Sequence, residues 1–120
     1  MFGLKGTVGN ARRQAINALG GEAIVYEGPA TLLLGCEGVG GWLVLSRHWL
    51  VFASHRLNWR RGRLLLPIER IEEATPRWVR LFGIPLFPTM LAVRTTGGRE
   101  YQFVVRDRHY WAEAIGCLCQ

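Results

Sequence analysis

Residues 41–54 constrain the fold of this chain more than any other segment. Two apolar runs, 42–45 and 49–52, flank the polar residues Ser46, Arg47 and His48. Alternation between two faces, interrupted by a short polar turn, is typical of an antiparallel β-hairpin. Both faces carry aromatic, β-branched or leucine side chains, so we expect this hairpin to lie inside its sheet and not at an edge.

Strand-like patterns on either side of the hairpin predict five further strands. They fall near residues 30–34, 64–68, 77–82, 91–95 and 101–105. Pro67 marks an edge strand or a bulge, because proline has no N–H to donate to a ladder. Gly97 and Gly98 supply a hairpin turn. About seven strands without a parallel crossover predict an antiparallel barrel or sandwich.

Two glycine- or proline-rich segments are predicted to be connections. Residues 83–88 are expected to form a loop, since Pro85 and Pro88 interrupt a regular ladder. Residues 35–41 are expected to be a flexible hairpin connection. They are not a phosphate-binding loop, because no Gly-Lys-Ser/Thr follows and Glu37 would repel a phosphate.

A helix is predicted at the end of the chain. Trp111, Ile115 and Leu118 recur at i, i+4 and i+7, which gives one apolar face, and Asp107 is a candidate N-cap. A single helix with one apolar stripe is suited to plug the open end of a barrel.

A second, short helix is predicted near the N-terminus. Residues 1–9 are rich in glycine and expected to be loose, whereas Asn10 is a candidate cap for a helix that ends at Leu19. Three alternatives stay open: the helix docks on the barrel, frays, or touches a membrane. We therefore divide the chain into an extension, 1–21, that is partly helical or disordered, and a domain, 22–120.

Length and hydropathy limit the function classes. A chain of 120 residues with 49% apolar residues and a mean hydropathy of +0.10 is expected to form one compact soluble domain. No clean apolar stretch reaches the ~20 residues of a membrane-spanning helix. No apolar run of a secretory signal follows the N-terminal basic residues, so we expect a cytoplasmic protein.

The reactive side chains predict neither a metal site nor catalysis. Cys36, Cys117 and Cys119 lack the spacing of zinc ligands and are expected to be free thiols. Ser46 and His48 lie only two positions apart, which does not by itself make a nucleophile–base arrangement. We expect no cofactor and no enzymatic activity.

The most basic segment, 55–63, is the first candidate binding surface. Its candidate residues are Arg56, Trp59, Arg60, Arg61 and Arg63. Guanidinium groups that lie close together bind phosphates bidentately, and a tryptophan suits a lipid headgroup layer. The alternative is a solvated hairpin tip. Nucleic acid is a poorer partner, because the net charge of +6 is modest and no recognition helix or stacking platform is evident.

The second candidate surface is apolar and consists of Ile84, Leu86 and Phe87. Exposed apolar patches often mark interfaces, here with an unidentified protein partner or a second copy of the chain. The alternative is a loop folded over the open end of the barrel.

Several short motifs, in their order and spacing, resemble the GRAM family of the pleckstrin-homology superfold, bacterial type. The matched motifs are Glu27-Gly28-Pro29-Ala30, Leu32-Leu33, Gly40-Gly41-x-Leu43-x-Leu45-Ser46, Leu50-Val51-Phe52-x-Ser54-His55, Leu57-Asn58, Leu66-Pro67-Ile68-x-x-Ile71, Gly97-Gly98-x-Glu100-Tyr101-x-Phe103-Val104-Val105 and Trp111. Trp49 departs from the family, in which many members carry arginine.

The resemblance implies a fold and a class of function. The implied fold is mainly β: a seven-stranded, partly open barrel capped by the C-terminal helix. The implied function is a binding module, attached to membranes through phosphoinositides or proteins. Lipid-binding relatives place Lys and Arg on the first inter-strand loop, but the matching residues 35–41 contain none. We therefore expect protein–protein interaction or self-association first, and peripheral binding to anionic lipid at the inner membrane face as the alternative.

Overall fold

The computed structural model describes residues 2–34, 37–54, 63–81 and 84–119, with side chains for 10–34, 38–54, 63–77 and 90–119. The elements are α1 (Phe2–Ala18), β1 (Ile24–Leu34), β2 (Glu37–Ser46), β3 (Trp49–Ala53), β4 (Arg63–Pro67), β5 (Ile71–Leu81), β6 (Ile84–Thr95), β7 (Glu100–Val104) and α2 (Arg108–Cys119), with a 3₁₀ turn at Ile68–Arg70. All neighbouring strands are antiparallel, and they form one open sheet in the order β4-β3-β2-β1-β7-β6-β5.

The central hairpin is confirmed as β2 and β3. Leu43 pairs with Phe52 and Leu45 with Leu50, and neither strand lies at an edge of the sheet. The inward side chains of this hairpin are fully buried, and the Phe52 ring lies 5.7 Å from the ring of Phe103 on β7. The predicted helix plug is also confirmed, since Trp111 and Ile115 of α2 belong to the same core.

The outer face of the central hairpin is apolar because α1 covers it. Ala15 of α1 and Leu19, the residue directly after the helix, pack against Val44, Val51 and Ala53, and all five are buried. Of the three alternatives for the N-terminal helix, the structure has the docked one. Two opposed layers, α1 outside and the main core inside, therefore bury both faces of β2 and β3.

The start of α1 corrects the prediction for residues 1–9. The helix begins at Phe2, so residues 2–9 are helical and Asn10 lies inside the helix instead of capping it. The prediction gave too much weight to glycine content. Leu4, Val8, Ala11 and Ala15 recur at helical spacing, and intrinsic propensity is a weak guide where a periodic face continues.

The prediction of a loop at residues 83–88 was also wrong. β6 begins at Ile84, and Pro85 pairs with Arg80 of β5. Prolines are tolerated where the ladder is irregular, and the β5–β6 register shifts between Arg77 and Arg80. Strand β7 pairs with β6 only from Met90 onwards, so the first half of β6 needs no donors on that side.

The glycines at 38–41 are likewise part of a strand, β2, where a flexible connection was predicted. They pair with Ala30–Leu33 of β1. A Cβ at Gly41 would overlap the carbonyl oxygen of Ala53, so this position requires glycine for the close approach of β3.

Candidate binding cleft at one end of the barrel

A cleft with a volume of about 750 Å³ lies at one end of the barrel. Three elements form it: the β2–β3 turn, the 3₁₀ turn after β4, and the last turn of α2. Ile68, Leu118 and Cys119 contribute the buried and half-buried floor, and Arg47 and His48 are exposed on the rim.

A hydrogen-bonded cluster holds the β2–β3 turn that forms this rim. The Glu22 carboxylate accepts hydrogen bonds from the Ser46 hydroxyl at 2.5 Å and from the His48 backbone N–H at 2.9 Å, and it lies 3.0 Å from His48 Nδ1. The Ser46 hydroxyl oxygen also accepts a hydrogen bond from the Trp49 backbone N–H. These bonds stabilise the carboxylate, foremost the one from Ser46, and lower the pKa of Glu22 to about 2.

The cluster contains serine, histidine and glutamate, but its geometry does not support nucleophilic catalysis. Ser46 is fully buried, and its hydroxyl proton is directed to Glu22. A serine nucleophile needs a histidine base at its hydroxyl and an accessible oxygen. Here His48 contacts the carboxylate instead, with 70% of its side chain exposed. The cluster is best described as a clamp on the turn.

The cysteines in the cleft do not form a metal site. Cys117 is exposed, whereas Cys119 is half-buried with its Sγ 3.9 Å from the Ile68 carbonyl oxygen. Burial raises the pKa of the Cys119 thiol, which disfavours the thiolate that metals and electrophiles require. Within the described part of the chain, no group of three or more His, Cys, Asp or Glu side chains is placed to hold a metal ion.

A second polar contact anchors the start of α2. The Tyr26 hydroxyl donates a hydrogen bond to the Asp107 carboxylate at 2.7 Å, and the Tyr26 ring lies 4.8 Å from Trp111. The Asp107 carbonyl accepts the first helical hydrogen bond, from Trp111 N–H at 2.9 Å. Asp107 thus occupies the predicted N-terminal boundary of the helix, with its carboxylate bound to β1.

Arg63, the described member of the predicted basic surface, is not among the described residues that line the cleft. Arg63 is half-buried at the first position of β4, and it is paired with Ala53. The other four basic candidates, Arg56, Trp59, Arg60 and Arg61, lie outside the described residues. Because β3 runs away from the β2–β3 turn, the connection at 54–63 begins at the opposite end of the hairpin.

For the candidates of the predicted apolar surface, the described structure covers the backbone and not the side chains. Ile84, Leu86 and Phe87 lie in the first half of β6, where Ile84 pairs with Leu81 and Phe87 pairs with Val79. Their role as an interface stays a prediction. The cleft itself was missed because its residues come from three distant segments. The one sequence signal was Trp49, the position that departs from the resembled family.

An open seven-stranded antiparallel sheet with a C-terminal helix over its core is the pleckstrin-homology-like fold, as predicted. The chain is similar to the C-terminal domain of an unknown protein from Leishmania infantum, with a TM-score of 0.73 and 16% identity over 93% of this chain and 97% of that one. No family profile and no curated protein matches the sequence.

Two similar structures contain a bound partner. One is the Slm1-PH domain with inositol-4-phosphate, with a TM-score of 0.58 and 12% identity over 81% of this chain and 96% of that one. The other is human RhoA in complex with the DH/PH fragment of PDZRHOGEF, with a TM-score of 0.57 and 15% identity over 80% and 28%. At 12–16% identity these neighbours show a shared fold and identify no ligand for this chain. No described helix is long and apolar enough to cross a membrane.

Proposed function

We propose that this chain is a non-enzymatic, GRAM-like binding module that recognises a segment of another protein in the cleft at the end of the barrel. The observation that carries this proposal is the composition of the cleft, which combines an apolar floor with a charged rim. The exposed lining of the cleft is more polar than apolar, which suits a site where polar groups orient a ligand around a small apolar contact surface. Protein interfaces have the same arrangement of apolar centre and polar rim.

The cleft indicates the chemistry of the segment that it would bind. Ile68 and Leu118 offer a floor for one or two apolar side chains. Arg47, exposed on the β2–β3 side, favours an acidic residue there, whereas Glu69 lies on the other side of the cleft. We therefore expect a short peptide with an apolar anchor and an acidic residue toward Arg47.

A displayed library of random peptides tests this proposal without a known partner. Peptides selected on the full chain are expected to lose binding at least about tenfold on a Leu118→Arg variant, because a buried charge on the floor excludes an apolar anchor. The matched control is Val25→Arg, since Val25 is 48% exposed and lies outside the cleft. Thermal unfolding of both variants establishes that they are folded.

Two results would contradict the cleft as the site. One is that no peptide is enriched over an unrelated domain. The other is that the enriched peptides bind the Leu118→Arg variant as well as the wild type. Enriched peptides that lack an apolar anchor would contradict the expected ligand chemistry in particular.

Peripheral binding to anionic membranes through residues 55–63 is the second candidate. It is favoured by the net charge of +6 and by the position of this connection, which begins away from the clamped β2–β3 turn. A protein that binds in this way would lie at the inner membrane face. Each Lys or Arg near an anionic surface contributes about 1 kcal/mol, so four would contribute about a thousandfold in affinity.

Vesicle sedimentation tests the membrane candidate. The test variant replaces Arg56, Arg60, Arg61 and Arg63 with Gln, and the matched control replaces four exposed arginines elsewhere, Arg13, Arg70, Arg99 and Arg106. Both variants have the same net charge, so a selective loss in the first identifies a local site. Equal losses in the two variants, or no wild-type binding to anionic vesicles, would exclude a specific site at 55–63.

A further inference from the structure

The backbone of the edge strand β4 has a defined set of outward-facing groups. In an antiparallel pair, every second residue exchanges backbone hydrogen bonds with the partner strand. The backbone N–H and C=O groups of the residues between them point away from that strand. The Ile68 N–H donates to the His48 carbonyl at 2.9 Å, which fixes this phase. The backbone groups of Leu64 and Leu66, which lie opposite Phe52 and Leu50, are therefore directed toward β3.

The remaining residues of β4, namely Arg63, Leu65 and Pro67, direct their backbone groups to the open edge. Strand β4 is the terminal strand in the sheet order. The edge thus offers two donors, the N–H groups of Arg63 and Leu65, and the carbonyl acceptors of the same two residues. Pro67 offers no N–H, and its carbonyl, at the N-cap of the 3₁₀ turn, already accepts the first hydrogen bond of that turn, so it has only its second lone pair for a partner.

The side chain of Leu65 adds an apolar contact at the same edge. Leu65 is 39% exposed, one of the few large apolar side chains in the described residues that is not covered. It pairs with Val51, which is buried under α1, so Leu65 lies on the outer face of the sheet at the margin of that helix. An exposed edge with an apolar side chain is a template for pairing with another strand.

We propose that two copies of this chain associate through β4, antiparallel, with the twofold axis at Leu65. In this register each Leu65 exchanges two backbone hydrogen bonds with its counterpart in the second copy. Each Arg63 N–H donates to the second lone pair of the Pro67 carbonyl of the other copy, which the 3₁₀ turn leaves available. Every outward donor of the strand is then paired, and the two Leu65 side chains cover each other. This inference concerns a surface distinct from the cleft and does not depend on the function proposed for it.

The sequence of β4 favours a second copy over an unrelated strand, because the pattern is self-complementary. A twofold axis at Leu65 places the missing N–H of Pro67 at the end of the ladder. A shift of two residues would bring Pro67 opposite Leu65 and would lose a donor at the centre. With the same axis, the backbone positions of the two Arg63 residues are four residues apart, about 13 Å along the strand. The repulsion between their guanidinium groups is therefore weak.

Sedimentation velocity over a concentration series tests the association of the full chain. Leu65→Lys places two like charges directly opposite each other and is expected to raise the dimer dissociation constant at least about tenfold. Val25→Lys is the matched control, because it introduces the same charge at an exposed apolar residue of β1. The control should associate like the wild type.

Cross-linking tests the register and remains informative if Leu65→Lys fails to fold. In a background with Cys36→Ser, Cys117→Ser and Cys119→Ser, Leu65→Cys brings two thiols onto the axis. Hydrogen-bonded antiparallel partners have Cα atoms about 5.5 Å apart, which a disulfide spans. Mild oxidation should yield covalent dimers of Leu65→Cys and few or none of Arg63→Cys, whose thiols would be about 13 Å apart.

Several outcomes would overturn this proposal. A wild-type chain that stays monomeric at all concentrations is one, and equal cross-linking of the two cysteine variants is another. A dimer that Leu86→Asp with Phe87→Asp disperses, and Leu65→Lys does not, would place the contact on β6. Binding of a foreign extended peptide to β4 with no self-association would assign the edge to another partner.

Discussion

The two edges of the open sheet, β4 and β5, are protected to very different degrees. Strand β5 has 11 residues, and α2 packs along it. Strand β4 has five residues, and no described strand or helix pairs with its outer edge. The longer edge is therefore the guarded one, and the short edge is open.

Details of β5 show how its edge is guarded. The Thr95 N–H donates to the Arg99 carbonyl of the β6–β7 turn, which shows which residues of β6 direct their backbone groups to β7 and which to β5. By the β5–β6 register, the backbone groups of Ala74 and Pro76 of β5 then point to the outer edge. Pro76 offers no donor there. At Arg77, where the β5–β6 register shifts and this alternation ends, the Arg108 guanidinium of α2 donates a hydrogen bond to the Arg77 carbonyl at 2.9 Å. Proline, a helix and a charged side chain are established means of blocking edge pairing.

Strand β4 has a proline and one charged residue, Arg63, but no described helix packs along its edge. Pro67 blocks one end of the edge, while Arg63 and Leu65 keep their outward donors. The comparison separates an edge that the fold itself covers, β5, from the edge on which the proposed association would form, β4. This difference can be tested by weakening each side in turn.

The largest effect is expected on the guarded side. Trp111→Ala should lower the free energy of unfolding by about 3–5 kcal/mol, because Trp111 is fully buried and anchors α2 over β5. Leu65→Ala on the open edge should change it by only about 0.5 kcal/mol. Urea unfolding measures both. Similar effects for the two variants would contradict the distinction between a structural and a free edge.

A smaller effect is expected from uncovering the β5 backbone. Arg108→Ala removes the hydrogen bond to the Arg77 carbonyl and should cost about 1 kcal/mol. Arg108→Gln is the matched variant, since an amide retains a donor near the carbonyl. If edge protection is its role, Arg108→Ala should also increase association of the chain at high concentration. An unchanged sedimentation profile would limit Arg108 to stability.

An acid-dependent effect is expected on the β4 side. The folded pKa of Glu22, about 2, lies below its usual 4.5, so the clamp stabilises the fold above about pH 4.5 and loses this contribution as pH falls toward 2. Hydrogen exchange should show β4 and the β2–β3 turn loosening before β5, because His48 bonds both Glu22 and Ile68. Glu22→Gln should flatten this acid dependence. Loosening of β5 first would contradict a local clamp.

Much of the architecture was predictable because it rests on local periodicity. The hairpin at 41–54 follows from the alternation of apolar side chains, and α2 follows from its apolar residues at helical spacing. The turn between β6 and β7 follows from the pair Gly97-Gly98. Gly98 adopts φ +83°, which a turn of this kind requires and glycine permits. The errors fell where local rules compete with pairing. Pro85 entered a strand at an irregular register, and the glycines of β2 paired with β1.

The candidate sites were less predictable than the fold. The cleft combines Trp49, Ile68 and Leu118, which are far apart in sequence, and no local pattern links them. The clamp joins Glu22 to Ser46 and His48 in the same way. The basic and apolar surfaces were proposed from composition, and their binding roles stay predictions.

The sequence by itself determined the chain order of the strands and helices and the inward residues of the central hairpin and of α2, and Pro67 indicated an edge strand or a bulge at β4. Periodicity and proline chemistry act within a few residues, so they can be read along the chain. Only the tertiary structure decided that α1 covers Val44 and Val51, that α2 guards β5, and that Leu65 stays uncovered. Which apolar residues remain exposed depends on how distant elements pack together, and that packing has no signature in any single segment.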